Sequence, residues 1–206
     1  MLENITCQIV TSQFSDSSNW WNNISLTIQL LGSFVIALII LLITQYLTEK
    51  SEFESTMNWF ITEGDYLRSI ISPKIDPIEE NINTLDALPP DRKDIRIFDF
   101  PDFKLDSLDF IISKGYFQFF SEIDSTYLIQ IKMVLARLQY NKNSYDLLNS
   151  KSSQLTPENF KTQQRTLLKG IQERMDYFVY LWDQPRIKSR IKKYPKSILT
   201  RWLKST

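Results

Sequence analysis

The sequence predicts an all-α protein in which one N-terminal transmembrane helix is followed by a small helical bundle built on an antiparallel helix hairpin. Three observations predict this fold. Residues 17–48 contain no charged side chain, and their middle is strongly apolar. Apolar residues recur at helical spacing through much of the remaining chain. There are only four glycines, too few for the many tight turns of a β-barrel or sandwich.

The predicted membrane span covers residues 24–47 and leaves residues 1–23 as a short extramembrane N-terminus. Fourteen of residues 24–44 are Leu, Ile, Val or Phe, which favours insertion by roughly 4 to 8 kcal/mol. A helix needs roughly 20 residues to cross the hydrocarbon core. Trp20 and Trp21 precede the run and Tyr46 follows it, as in interfacial aromatic belts. A buried helix of a soluble protein and a cleaved signal peptide are the alternatives, but no basic n-region precedes the run.

The charges beside the span predict its orientation. No Lys or Arg precedes it, whereas Lys50 follows it directly. The positive-inside rule then places the N-terminus outside and the C-terminal domain in the cytoplasm. We therefore expect a single-pass protein of the plasma (cytoplasmic) membrane.

The amino-acid composition excludes several kinds of catalytic site. The chain has no histidine, and its only cysteine is Cys7. Imidazole bases, His-containing zinc sites and internal disulfides are therefore excluded. Neither a G-x-G-x-x-G nor a Walker A pattern is present. The sequence predicts no catalytic residue, no metal, no cofactor and no enzymatic activity.

Residues 48–185 are predicted to form a helical soluble domain. A helix is expected to continue from the span, to be weakened at Gly64-Asp65 and to end at Pro73. Pro77 is expected to start a short helix that stops at Pro89-Pro90.

Three further helices complete this domain. Asp106 or Ser107 is expected to cap a helix that reaches Lys114, with Gly115 just beyond its end. Ser121 and Asp124 form a capping pattern for a longer helix that extends to about Leu148. The pair Thr156-Pro157 is expected to start the last helix, which ends at Pro185. The two long helices, joined by a short linker, predict the hairpin.

Residues 186–206 form a predicted basic amphipathic tail. It contains eight basic residues and no acidic residue. A tail of this kind binds an anionic membrane surface or an acidic partner, and a solvated helix end is the simpler alternative. The predicted binding residues are Arg186, Lys188, Arg190, Lys192, Lys193, Lys196, Arg201, Trp202 and Lys204.

Four aspartates, Asp99, Asp102, Asp106 and Asp109, are close together in sequence. Paired carboxylates can act as acid and base or bind Mg²⁺ or Ca²⁺. Their spacing matches no EF-hand loop, and apolar residues alternate with them. We interpret them as acidic residues of turns and helix caps.

The stretch 106–117, followed by an amphipathic helix through Tyr140-Asn141, resembles a group of uncharacterised short prokaryotic proteins. These have one N-terminal membrane helix and a helical cytoplasmic region. The resemblance implies a single-pass membrane protein and no particular activity. The chain departs from the group's long uninterrupted helix after the anchor, because Gly64, Pro73 and Pro77 interrupt it.

These observations predict a membrane-anchored binding, scaffold or accessory protein. Its expected partners are membrane lipid and either another protein or a second copy of the chain, while nucleic acid is disfavoured. One alternative is a membrane-perturbing effector or defence protein. Another is an enzyme that acts on lipid or nucleotide with Asp, Glu, Lys and Arg alone.

Overall fold

The computed structural model describes residues 3–89, 91–92 and 97–184, with side chains described from Ile24 onward. Within those ranges the chain is helical and contains no β-strand, which confirms the all-α prediction. The chain divides into two compact units between Ser51 and Glu52. The second is called the helical unit below, and its described part ends at residue 184.

The described residues form five α-helices and three short 3₁₀ turns. The α-helices are α1 Glu3–Ile71, α2 Ile75–Ala87, α3 Asp106–Ser113, α4 Glu122–Ser150 and α5 Pro157–Trp182. The 3₁₀ turns are Ser72–Lys74, Tyr116–Phe119 and Ser152–Gln154.

Several helix ends lie where the local sequence predicts them. Ser121 is the N-cap of α4. Its hydroxyl accepts a hydrogen bond from the Asp124 N–H at 3.2 Å. Thr156 caps α5 in the same way, and Pro157 occupies the first turn. Gly115, with φ of +70°, follows α3 in the left-handed conformation that glycine adopts without strain.

Two local expectations are wrong. α1 continues through Gly64 to Ile71, because tertiary contacts outweigh the modest helix propensity lost at one glycine. Neither Asp106 nor Ser107 caps α3, because the chain enters that helix through Leu105. The short helix α2 does carry Pro77 in its first turn, as expected, and it begins at Ile75.

The N-terminus of α3 is capped by a distant side chain instead. The Glu63 carboxylate of α1 accepts hydrogen bonds from the Asp106 and Ser107 N–H groups, both at 3.0 Å. It also accepts one from the Ser107 hydroxyl. A carboxylate at this position satisfies free backbone donors and complements the helix dipole.

The core of the helical unit lies among its helices. α5 packs against both α2 and α4. Burying an aliphatic or aromatic side chain of this size favours folding by about 1.5–3 kcal/mol. From Phe160 to Phe178 the buried residues of α5 recur every three or four positions; Gln164 is polar, and the apolar ones are Phe160, Leu168, Ile171, Met175 and Phe178.

Candidate membrane interface

The apolar stretch of α1 is exposed along its whole length. Thirteen large apolar side chains between Leu26 and Leu47 are each at least 46% exposed. This helix is long and apolar enough to cross a membrane, by length and composition. Soluble monomers rarely leave so large a continuous apolar surface in water. Such a surface requires lipid or another apolar partner to cover it.

Hydroxyl groups at the end of this stretch are satisfied within the helix. The Thr44 hydroxyl donates to the Ile40 carbonyl at 2.8 Å, and the Thr48 hydroxyl donates to the Thr44 carbonyl at 2.9 Å. Bonds to the preceding turn let polar residues enter hydrocarbon without an unpaired donor. The last turns of the predicted span are therefore compatible with a lipid environment.

The predicted interface residues are only partly described. Tyr46 lies on α1 and is half-buried. Trp20 and Trp21 belong to α1, but their side chains lie outside the described part of the chain. The whole basic tail, from Arg186 to Lys204, also lies outside it.

The end of α5, just before the tail, is fixed on α1 by a buried tryptophan. Trp182 has no exposed surface. Its indole N–H donates to the Asp65 carboxylate at 2.8 Å. Its ring contacts Phe60 edge-on, with centroids 5.2 Å apart, and stacks on Phe178 at 6.0 Å. The tryptophan therefore has both the apolar contacts and the polar partner that a buried indole needs.

Gly64 makes room for this tryptophan. A Cβ atom at position 64 would lie 2.0 Å from Cη2 of Trp182, closer than real Cβ contacts allow. Only glycine permits the indole to lie directly on the α1 backbone. The Gly64-Asp65 pair, which looks like a weak point in the sequence, supplies both the space and the hydrogen-bond acceptor.

An ion pair lies beside the tryptophan. The Arg68 guanidinium donates two hydrogen bonds to the Asp183 carboxylate, at 2.7 and 2.8 Å. Asp183 raises the pKa of Arg68 through the hydrogen bond and its charge. Both side chains are about two-fifths exposed, so the pair adds more to orientation than to stability. We call Gly64, Asp65, Arg68, Trp182 and Asp183 the Trp182 latch.

The four aspartates do not converge. Asp102 pairs with Lys142 at 2.7 Å, Asp109 with Lys132 at 2.9 Å and Asp106 with Lys104 at 3.5 Å. Lys142 lowers the pKa of Asp102 through its hydrogen bond and its charge. Among the described residues, no group of three or more His, Cys, Asp or Glu side chains has the arrangement of a metal site. Three of the four carboxylates instead meet separate lysines.

A groove of about 530 Å³ lies where α4 ends and α5 begins. Its size is within the range of small-molecule and peptide sites. Leucines, hydroxyls, amides and one ammonium group line it, a chemistry suited to holding an apolar group. The lining residues are Ser144, Leu147, Leu148, Lys151, Gln154, Leu155, Thr162, Gln163, Thr166 and Leu167.

No family model matches this chain, and neither a curated protein nor a solved structure matches it. Function must therefore be inferred from three structural features: the apolar stretch of α1, the Trp182 latch and the groove. Sequence patterns predict the first of these features. They miss the latch, because its two halves are more than a hundred residues apart.

Proposed function

We propose that this protein is a membrane-anchored helical binding protein, acting as a scaffold or an accessory subunit. Its basic tail docks on the anionic surface of the same membrane. The observation that carries the proposal is the exposed apolar stretch of α1, next in sequence to a unit with a buried core. In this proposal residues 24–47 span the plasma membrane, the N-terminus is outside and the helical unit is cytoplasmic.

We further propose that the helical unit is a small bundle built on an antiparallel α4–α5 hairpin. The packing of α4 on α5 supports it, as does the short connection between them at residues 151–156. Short connections are typical of antiparallel neighbours in bundles.

The Trp182 latch fixes the last described turn of α5, from which the tail continues. Trp182 and Asp183 are held on α1 by Asp65 and Arg68. Tethering raises the local concentration of the tail near the lipid. Each Lys or Arg near an anionic leaflet contributes about 1 kcal/mol, so half of the eight basic residues would be enough for docking.

The groove between α4 and α5 is the proposed site for a protein partner. Leu147 is 54% exposed there, beside the buried Leu148. A partner's apolar side chain would gain contact with leucines and would find hydroxyl and amide groups at the edge. Purification from gently solubilised membranes, followed by identification of the proteins that co-elute, tests this part of the proposal.

Tail docking is tested in the full-length protein reconstituted in vesicles. A spin label is placed at Ser205→Cys in a Cys7→Ser background, so that one thiol remains. We expect the label to be immobilised in vesicles with anionic lipid and mobile in zwitterionic vesicles. Because the attraction is electrostatic, high salt should restore the mobility.

A matched variant separates the contribution of the tail's charge to docking from that of its apolar residues. Replacing all eight basic residues after Asp183 with Gln leaves the apolar side chains in place. We expect this variant to stay mobile in both kinds of vesicle. Immobilisation that is insensitive to salt and to this replacement would contradict docking by charge.

A further inference from the structure

A cluster of aromatic residues lies in the turn between α3 and α4. We call residues 115–120 the aromatic loop, and three of its rings surround Phe53 of α1. The centroid of Phe53 lies 5.3 Å from that of Tyr116, 6.3 Å from Phe119 and 5.9 Å from Phe120. Phe53 is buried, so the loop is packed firmly on this part of α1.

The outer side of the loop stays partly in contact with solvent. Phe117, Phe119 and Phe120 are half-buried, and Gln118 is exposed. Two exposed isoleucines flank the loop in sequence, Ile112 at 37% and Ile123 at 54%. A turn is ordinarily rich in polar residues. This turn instead carries four aromatic residues in the six positions 115–120.

The position of Phe53 in the chain limits how far the loop can be from the span. Phe53 follows Leu47 by six residues, which cover at most about 20 Å even when fully extended. The headgroup layer is about 5–7 Å thick on each side of the hydrocarbon core. The covalent connection therefore keeps Phe53, on which the loop packs, within about 20 Å of Leu47, near enough for insertion of the loop into that layer to be tested.

We propose that the aromatic loop inserts into the headgroup layer of the membrane that α1 spans. Phe117, Gln118 and Phe119 face the lipid in this proposal, which rests on the proposed membrane anchor. Phenylalanine side chains of interfacial segments are buried at the boundary between the headgroups and the acyl chains. The Lys114 ammonium and the Glu52 carboxylate beside the loop pair at 2.8 Å, and the exposed Glu122 that follows the loop is acidic, so the contact gains nothing from anionic lipid and suits a zwitterionic surface.

Two matched spin labels test this contact in the full-length, reconstituted protein. Both Gln118 and Gln154 are exposed glutamines in short 3₁₀ turns, at opposite ends of α4. Each is replaced by Cys in the Cys7→Ser background. In zwitterionic vesicles at high salt, we expect the Gln118→Cys label to show several-fold higher collision with oxygen, relative to a water-soluble nickel reagent, than the Gln154→Cys label.

Equal oxygen-to-nickel ratios at the two positions would overturn the proposal, provided that the protein resists alkaline extraction from the vesicles. Release by alkaline extraction would instead overturn the membrane anchor itself. A third variant adds Phe117→Ser to the Gln118→Cys protein. A ratio that falls towards the Gln154→Cys value, with an unchanged helical circular dichroism spectrum, supports insertion through the phenylalanine. An unchanged ratio contradicts it.

Discussion

The apolar stretch of α1 and helix α5 contain the same kinds of apolar side chain, but these side chains are exposed in α1 and buried in α5. In α5, Phe160, Ile171 and Met175 are fully buried on one face of the helix. Between Leu26 and Leu47, apolar side chains point in every direction around the helix and remain exposed. The difference shows that α5 is covered by other helices, whereas the apolar stretch of α1 is uncovered and is long and apolar enough to cross a membrane.

The proposed membrane span predicts that the two regions tolerate charge differently. A lysine on the outer face of a helix in water costs little, because it stays hydrated. A lysine at the centre of a membrane helix costs about 2.5–3.5 kcal/mol. Two lysines introduced at the same helical spacing in each region therefore test whether that region is surrounded by lipid or by water.

The largest expected effect comes from two charges in the apolar stretch of α1. Replacing Ile36 and Ile40 with Lys should cost about 6–8 kcal/mol of insertion free energy, comparable to the whole favourable sum for the span. We expect the variant to be released from membranes by alkaline extraction, which the unmodified protein should resist.

The control places the same pair of lysines on α4. Ile129 and Met133 are also four residues apart, and they are 49% and 51% exposed. Replacing both with Lys should leave membrane association unchanged and should alter stability by less than about 1 kcal/mol. If both double variants resist extraction equally, the apolar stretch of α1 is not in lipid.

The second-largest expected effect is a loss of stability on substitution of Gly64 in the Trp182 latch. In Gly64→Ala, the new methyl group meets the Trp182 ring, so we expect a destabilisation of about 3 kcal/mol. The thermal midpoint of the helical unit should fall by roughly 6–12 °C in detergent solution. The measurement is the loss of helical circular dichroism on heating.

Gly170→Ala is the matched control within a helix. A Cβ at position 170 lies 3.0 Å from the ends of two flexible side chains, Arg174 and Asn141. These can move, and alanine is the better helix former by about 1 kcal/mol. We expect little change or a small gain in the midpoint. Equal losses at the two glycines would contradict a specific role for Gly64.

The smallest effects concern two aspartates of the helical unit whose surroundings differ. Burial, then Glu79 and Asp76, raises the pKa of Asp176. Its ionised form therefore destabilises the folded state at neutral pH, and the cost disappears as acid protonates it. Lys142 lowers the pKa of Asp102, so the ionised form of that residue stabilises the fold and the benefit disappears in acid.

Asn substitutions should therefore have opposite effects. At about pH 7, Asp176→Asn should raise the thermal midpoint and Asp102→Asn should lower it. Both differences from the unmodified protein should shrink as the pH falls towards about 3. Midpoints that move in the same direction at neutral pH would contradict these assignments.

Local sequence patterns predict the helical fold and several of its boundaries correctly. Ser121, Thr156 and Gly115 act within four residues of their own position, so a single sequence is enough to identify them. The apolar stretch is also a local signal, because its length and composition alone make it a candidate span.

Features that depend on distant residues are not predictable in this way. The cap of α3 comes from Glu63, more than forty residues earlier. In the sequence, Gly64 is only a residue of low helix propensity. The packing of Trp182 against it shows that the site requires glycine. No periodicity or capping rule connects residues so far apart, and such contacts appear only once the helices are packed together.

The most direct test of the membrane span uses the two ends of the chain. The native Cys7 precedes the apolar stretch, and Ser205→Cys in a Cys7→Ser background places a thiol beyond the helical unit. A membrane-impermeant maleimide should label Cys7 in intact cells and the thiol at position 205 only after lysis. The reverse pattern would correct the orientation alone, whereas labelling of both positions from the same side would contradict the span.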